Sequence, residues 1–87
     1  MYVLVVYDIG VRRVEKVRRF LIQYLSWVQN SVFEGELTEG QLAELMDGVG
    51  EIIDKKADSV YIYQVSDKKW LVKDVLGIQK EMTENII

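Results

Sequence analysis

The chain has 87 residues, 49% apolar and 29% charged, which suits one small globular domain and leaves no room for a second core. It contains neither Cys nor His, so disulfides, zinc sites built on those residues, a thiol nucleophile and any histidine-based triad are excluded. Its net charge of −3 is uneven: residues 1–33 carry five bases against two acids, and the remainder six lysines against twelve acids. An acidic chain repels polyphosphate on average, so nucleic acid could be met only at the local basic patch, Arg12, Arg13, Lys16, Arg18 and Arg19. The other reading of that patch is a solvated helix face.

Tyr2-Val-Leu-Val-Val-Tyr7 is a continuous β-branched and aromatic run, the pattern of a central strand buried on both faces. Asp8-Ile-Gly10 ends it. Over residues 11–26 the period becomes helical, with Val14, Val17, Leu21, Tyr24 and Leu25 on one side. Arg12, Glu15, Lys16, Arg19 and Gln23 mark the opposite side, with Glu15 and Arg19 spaced as an i,i+4 ion pair. Residues 27–37 read as strand again, with Asn30-Ser31 either a tight turn between two strands or a bulge in one.

Thr38 and Gln41 fit a capping box, and the helix they open places Leu42, Leu45, Met46, Val49, Ile52 and Ile53 on one stripe. Residues 55–58 form a polar turn. Residues 59–65 alternate, with Val60 and Ile62 on one face and Tyr61, Tyr63 and Val65 on the other. Residues 66–69 are a loop, Val75-Leu-Gly-Ile78 a further short strand, and 79–87 a tail beyond a single domain over 1–78. The order predicts a ferredoxin-like α/β sandwich, β-α-β-β-α-β, with the extra C-terminal strand free to pair with a second chain. A small unstapled core favours such an interface. The start lacks a signal peptide's basic stretch, and no apolar run approaches the ~20 residues of a membrane span. The expected compartment is the cytoplasm, with no membrane contact.

Glu34, Glu36 and Glu39 read as surface charge, as do Asp47, Glu51 and Asp54 along the second helix. Asp8 stands apart. A carboxylate at the end of a central strand suits a hard cation such as magnesium or manganese, or else caps the helix that follows. One carboxylate makes a poor metal site, a deficit that a two-fold dimer pairing two copies would repair.

Met1-Tyr-Val-Leu-Val-Val-Tyr-Asp8, Val28-Gln-Asn-Ser-Val-Phe-Glu-Gly-Glu-Leu37 and Asp58-Ser-Val-Tyr-Ile-Tyr63 resemble the CRISPR-associated protein 2 family over essentially the whole chain. The resemblance implies a ferredoxin-like domain in a symmetric homodimer whose last strand, here within 75–78, crosses to the partner's sheet. It implies Asp8 as metal ligand and catalytic residue of a magnesium-dependent nuclease acting on RNA or DNA. It further places Tyr7, Ser31 and Phe33 near that site and implicates Arg12, Arg13 and Lys16 in nucleic-acid binding. Trp27 stands where many members carry arginine. The family's role in CRISPR adaptation implies an adaptor held by the integrase subunit, CRISPR-associated protein 1. Two other readings are a ribonuclease-toxin-like endoribonuclease and an RNA-binding module stacking bases on Tyr7, Phe33, Tyr61 and Tyr63.

Overall fold

In the computed structural model, which describes residues 1–80, the opening apolar run becomes strand β1 (Tyr2–Asp8). Helix α1 (Val11–Leu21), strands β2 (Ser26–Gln29) and β3 (Val32–Glu36), helix α2 (Glu39–Ile52) and strand β4 (Ser59–Val65) follow. A single 3-10 turn covers Lys68–Trp70. The strands form one sheet in the order β2-β3-β1-β4, each neighbouring pair antiparallel. β1 and β2 therefore run parallel with β3 between them, and β3 and β4 run parallel with β1 between them. One helix bridges each of those pairs, which is the ferredoxin-like arrangement expected from the sequence.

The core lies between one sheet face and the two helices. Val3, Val5, Tyr7 and Phe33 point into it from the sheet, Val17 and Leu21 from α1, and Leu42, Leu45 and Val49 from α2. Val5 sits between Phe33 and Ile62 in the ladder, so a central strand meets apolar neighbours on both sides. The expectation that β1 is buried on both faces needs correcting. Tyr2, Leu4 and Val6, on its other face, are only half-buried, because the helices cover one side alone. β4 alternates as expected, Val60 and Ile62 packing on the core and Tyr61 and Tyr63 exposed.

Three local details differ from the sequence reading. α1 stops at Leu21, and Tyr24 and Leu25 keep their core contacts from a turn that closes back on Leu21. Of the two readings of Asn30-Ser31 the tight turn holds: it joins β2 to β3 with Asn30 at φ of 41°, and the one register irregularity of that ladder lies earlier, between Trp27 and Gln29. Asn tolerates that left-handed backbone better than most residues. Met46 lies 48% exposed at the margin of the α2 stripe, whose centre is Leu42, Leu45 and Val49. The capping box forms as read, Thr38 Oγ1 accepting from Gln41 N at 3.1 Å and Gln41 Oε1 from Thr38 N at 3.0 Å.

After β4 the described chain forms no further strand. Leu71 lies beside Tyr2, Leu4, Tyr63 and Val65 on the open sheet face, and Lys73 pairs there with Glu34. Glu34 is thus a buried, paired acid rather than surface charge. Trp70, Val72, Leu76 and Ile78 remain exposed. Among the described residues this segment pairs with neither edge strand of the sheet, β2 or β4. The tail expected over 79–87 falls outside the described residues from 81 onward.

The helices meet where the Phe20 ring of α1 covers Gly48 of α2, and a Cβ at that position would run into the ring. Gly48→Ala is therefore expected to destabilise the fold by about 1–2 kcal/mol, overpacking outweighing the ~1 kcal/mol gain in helix propensity. In a Phe20→Leu background the same change becomes neutral or stabilising. Urea unfolding of the four proteins checks this, and a more stable Gly48→Ala single variant would contradict the packing argument.

Candidate active site

Asp8 is the last residue of β1, and strand alternation puts it on the open sheet face with Leu4 and Val6, opposite Ser59 of β4. It is exposed, and its carboxylate makes no hydrogen bond or ion pair among the described residues. The capping alternative is overturned. The N-cap of α1 is Gly10, and no side chain caps that helix. Asp8 is left with its acceptor capacity unspent.

The group that ties down this corner is Asp58, the residue before β4, whose side chain is wholly enclosed. Its Oδ1 accepts from Gly10 N at 2.8 Å and Arg13 Nη2 at 2.9 Å; its Oδ2 accepts from Arg13 Nε at 2.6 Å and Asp54 N at 2.9 Å. The Arg13 guanidinium and the two backbone N–H groups hold the Asp58 carboxyl far below the usual carboxylate range. Sequence reading placed Asp58 in a polar turn. The available signal was the segment Asp58–Tyr63, an acid placed directly before an alternating strand.

Arg13, expected to face nucleic acid, is therefore committed in part to Asp58. Arg18 is likewise engaged, its Nε and Nη2 reaching Glu15 at 3.1 and 2.7 Å, so Glu15 pairs at i,i+3 and not with Arg19. The remaining bases of α1, Arg12, Lys16 and Arg19, are exposed and make no ion pair among the described residues. Their spacing of four and three residues sets them in one stripe.

Tyr7 and Phe33 are core residues, their rings stacked with centroids 6.2 Å apart. Burial pushes the Tyr7 phenol above its ordinary range, partly opposed by Arg18. Both rings are buried and pack beneath the end of β1. Ser31 meets the same strand end, its carbonyl accepting from Tyr7 N at 3.1 Å. Trp27 closes the hairpin through Nε1 donating to the Asn30 carbonyl at 3.1 Å.

No group of three or more acids suited to a cation occurs among the described residues. Asp8 alone would offer a divalent cation one hard oxygen ligand, which is short of a full coordination set.

The depressed Asp58 pKa has a signed consequence. A carboxylate with a lowered folded pKa contributes stability that is complete above its unfolded value of about 3.9 and is lost as pH falls. The stability gap between the wild type and Asp58→Asn is therefore expected to stay level from about pH 8 to about pH 5 and to shrink below about pH 4. Urea unfolding across that range reads it directly. A gap that widens on acidification would contradict the assignment.

The description "CRISPR associated protein Cas2" belongs to the family model that matches residues 1–72. The chain is 51% identical to the CRISPR-associated endoribonuclease Cas2 3 of Thermodesulfovibrio yellowstonii, over 99% of this chain and 98% of that protein. It is 48% identical to the CRISPR-associated endoribonuclease Cas2 of Methanosarcina acetivorans, each covered in full. A solved crystal structure of Cas2 superposes with a TM-score of 0.86 at 47% identity, covering 100% of this chain and 98% of that one. Streptococcus pyogenes Cas2 at pH 6.5 gives a TM-score of 0.74 at 30% identity, over 86% of this chain and 99% of that one. With its fold and its full-length similarity in agreement, the chain belongs to the CRISPR-associated Cas2 family.

Proposed function

We propose that the chain is a dimeric CRISPR nuclease in which Asp8 of the two protomers jointly holds a magnesium or manganese ion, and that the same dimer serves as a nucleic-acid-binding adaptor for the CRISPR-associated protein 1 integrase subunit in spacer acquisition. The observation that carries this reading is the unengaged Asp8 carboxylate at the end of β1, in a chain whose first helix presents an unpaired basic stripe. Relatives named as endoribonucleases support phosphodiester cleavage. The chain has no His, so no imidazole is available as general base.

A bound divalent ion at Asp8 supplies charge neutralisation and a more acidic water. The chain's own residues do the rest. Asp8 offers the hard anionic ligand, and the register of β1 holds it outward. Arg12, Lys16 and Arg19 neutralise phosphates along one strand of substrate. Arg13 presents a guanidinium already oriented by Asp58. The exposed apolar residues of the C-terminal segment, Val72, Val75, Leu76 and Ile78, support an exchanged strand covering a second chain's sheet edge. The RNA-module reading is weaker, because two of its four aromatic rings lie in the core.

Asp8→Asn retains volume and removes charge, so magnesium-stimulated cleavage of RNA or DNA is expected to fall at least about 100-fold, with folding and dimerisation intact. Undiminished cleavage by the purified variant would contradict the assignment. The adaptor role predicts that spacer integration with the integrase subunit continues in that variant, and failure to co-purify with the subunit would contradict it. Replacing Arg12 and Lys16 with Gln is expected to lower the slope of log affinity for duplex DNA against log salt by about 2. Truncation after Asp74 is expected to abolish the dimer by sedimentation; a well-folded dimer would remove the strand-exchange reading.

A further inference from the structure

The Asp8 side chain makes no hydrogen bond or ion pair among the described residues, so its position depends on the backbone around it. That backbone is held from two sides by one residue. Asp58 accepts from Gly10 N, which fixes the two-residue connection between β1 and α1. It also directly precedes Ser59, the cross-strand neighbour of Asp8. A third tie, Asp54 N to Asp58 Oδ2, fastens the turn that delivers Asp58 itself.

The same carboxylate grips Arg13 through Nε and Nη2. A guanidinium carries five N–H donors, and this grip leaves the others unused among the described residues. The Arg13 side chain is 30% exposed while that of Asp58 is wholly enclosed, so Asp58 anchors the inner edge of a group whose outer part reaches solvent. Gly10 keeps the approach open, since a Cβ there would stand 2.5 Å from Arg13 Nη2. A buried ion pair is weak evidence for stability on its own, because desolvation cancels much of the attraction. What this pair does is fix, in one carboxylate, both the connection after Asp8 and the direction of the Arg13 guanidinium.

We propose that Asp58 is a positioning residue for phosphodiester cleavage, setting the place of Asp8 through the Ile9–Gly10 turn and the orientation of Arg13 toward substrate phosphate. This rests on the reading of Asp8 as the catalytic carboxylate. Reacting groups displaced by about 1 Å lose on the order of 100-fold in rate.

The test is steady-state magnesium-dependent cleavage of a single-stranded RNA and a duplex DNA by the full-length protein. Asp58→Asn and Arg13→Lys are each expected to lower kcat about 10–100-fold with KM changed by less than about threefold. The double variant is expected to fall no further than the worse single one, because the two residues act as a unit. Thr38→Ala, which removes the α2 cap elsewhere, is the comparator for lost stability and keeps wild-type kcat. Lower stability with undiminished kcat in Asp58→Asn and Arg13→Lys would overturn the proposal and leave a purely structural ion pair. If Asp58→Asn fails to fold, Arg13→Lys alone decides, since its side chain is partly exposed and its charge is kept. An inactive wild type overturns the reading of Asp8 and this proposal with it; an active wild type with undiminished variants overturns this proposal alone.

Discussion

The register of β1 constrains everything else in this fold. β1 is paired with β4 along all seven of its residues and with β3 along five, so it cannot shift without breaking both ladders. Its alternation sends Val3, Val5 and Tyr7 under the helices and Asp8 to the open face with Leu4 and Val6. A slip of one residue would reverse this, burying a carboxylate and exposing two fully enclosed valines. Each such valine contributes roughly 1.5–3 kcal/mol by burial, and an unpaired buried charge adds a larger cost. Core packing and the outward presentation of Asp8 are therefore one constraint.

Charge is organised around the same layer. α2 carries Glu39, Glu44, Asp47 and Glu51 without a single base, while α1 carries five bases and one acid. Internal pairing then reduces the basic side: Asp58 engages Arg13 and Glu15 engages Arg18. What remains free is a stripe of three, Arg12, Lys16 and Arg19. In an acidic protein such a stripe makes the outer face of α1 attractive to anions, while α2 repels them. The attraction is an exposed-charge effect and weakens with salt.

The parts of the fold legible in the sequence were those with local period. The apolar run of β1, the capping box and stripe of α2 and the alternation of β4 are each written within a dozen or so residues, and each forms the element expected, although β1 is covered on one face alone and Met46 lies at the margin of the α2 stripe. The end of α1 was not legible, because Tyr24 and Leu25 keep helical spacing while the chain has already left the helix. Asp58 and Glu34 were missed for a different reason. Their partners lie 45 and 39 residues away, and no local pattern marks an acid that folding will bury beside a distant base. The strand expected over 75–78 is a third case: its apolar residues suit a strand, yet the segment is exposed and pairs with no strand among the described residues. For Asp8, position in sequence gave the strand end; only the structure removed the capping alternative, by placing Gly10 at the N-cap and its N–H on Asp58.

The central claim is that one chain provides half a site, with a single unengaged carboxylate that two protomers combine. A mixed dimer, purified through two different affinity tags so that one protomer is wild type and the other carries Asp8→Asn, tests this most directly. The account predicts that the mixed dimer cleaves no faster than the dimer substituted in both protomers, because neither carboxylate alone completes the ligand set. A mixed dimer with about half the wild-type rate would mean that each protomer carries a complete, independent site, and would contradict the account.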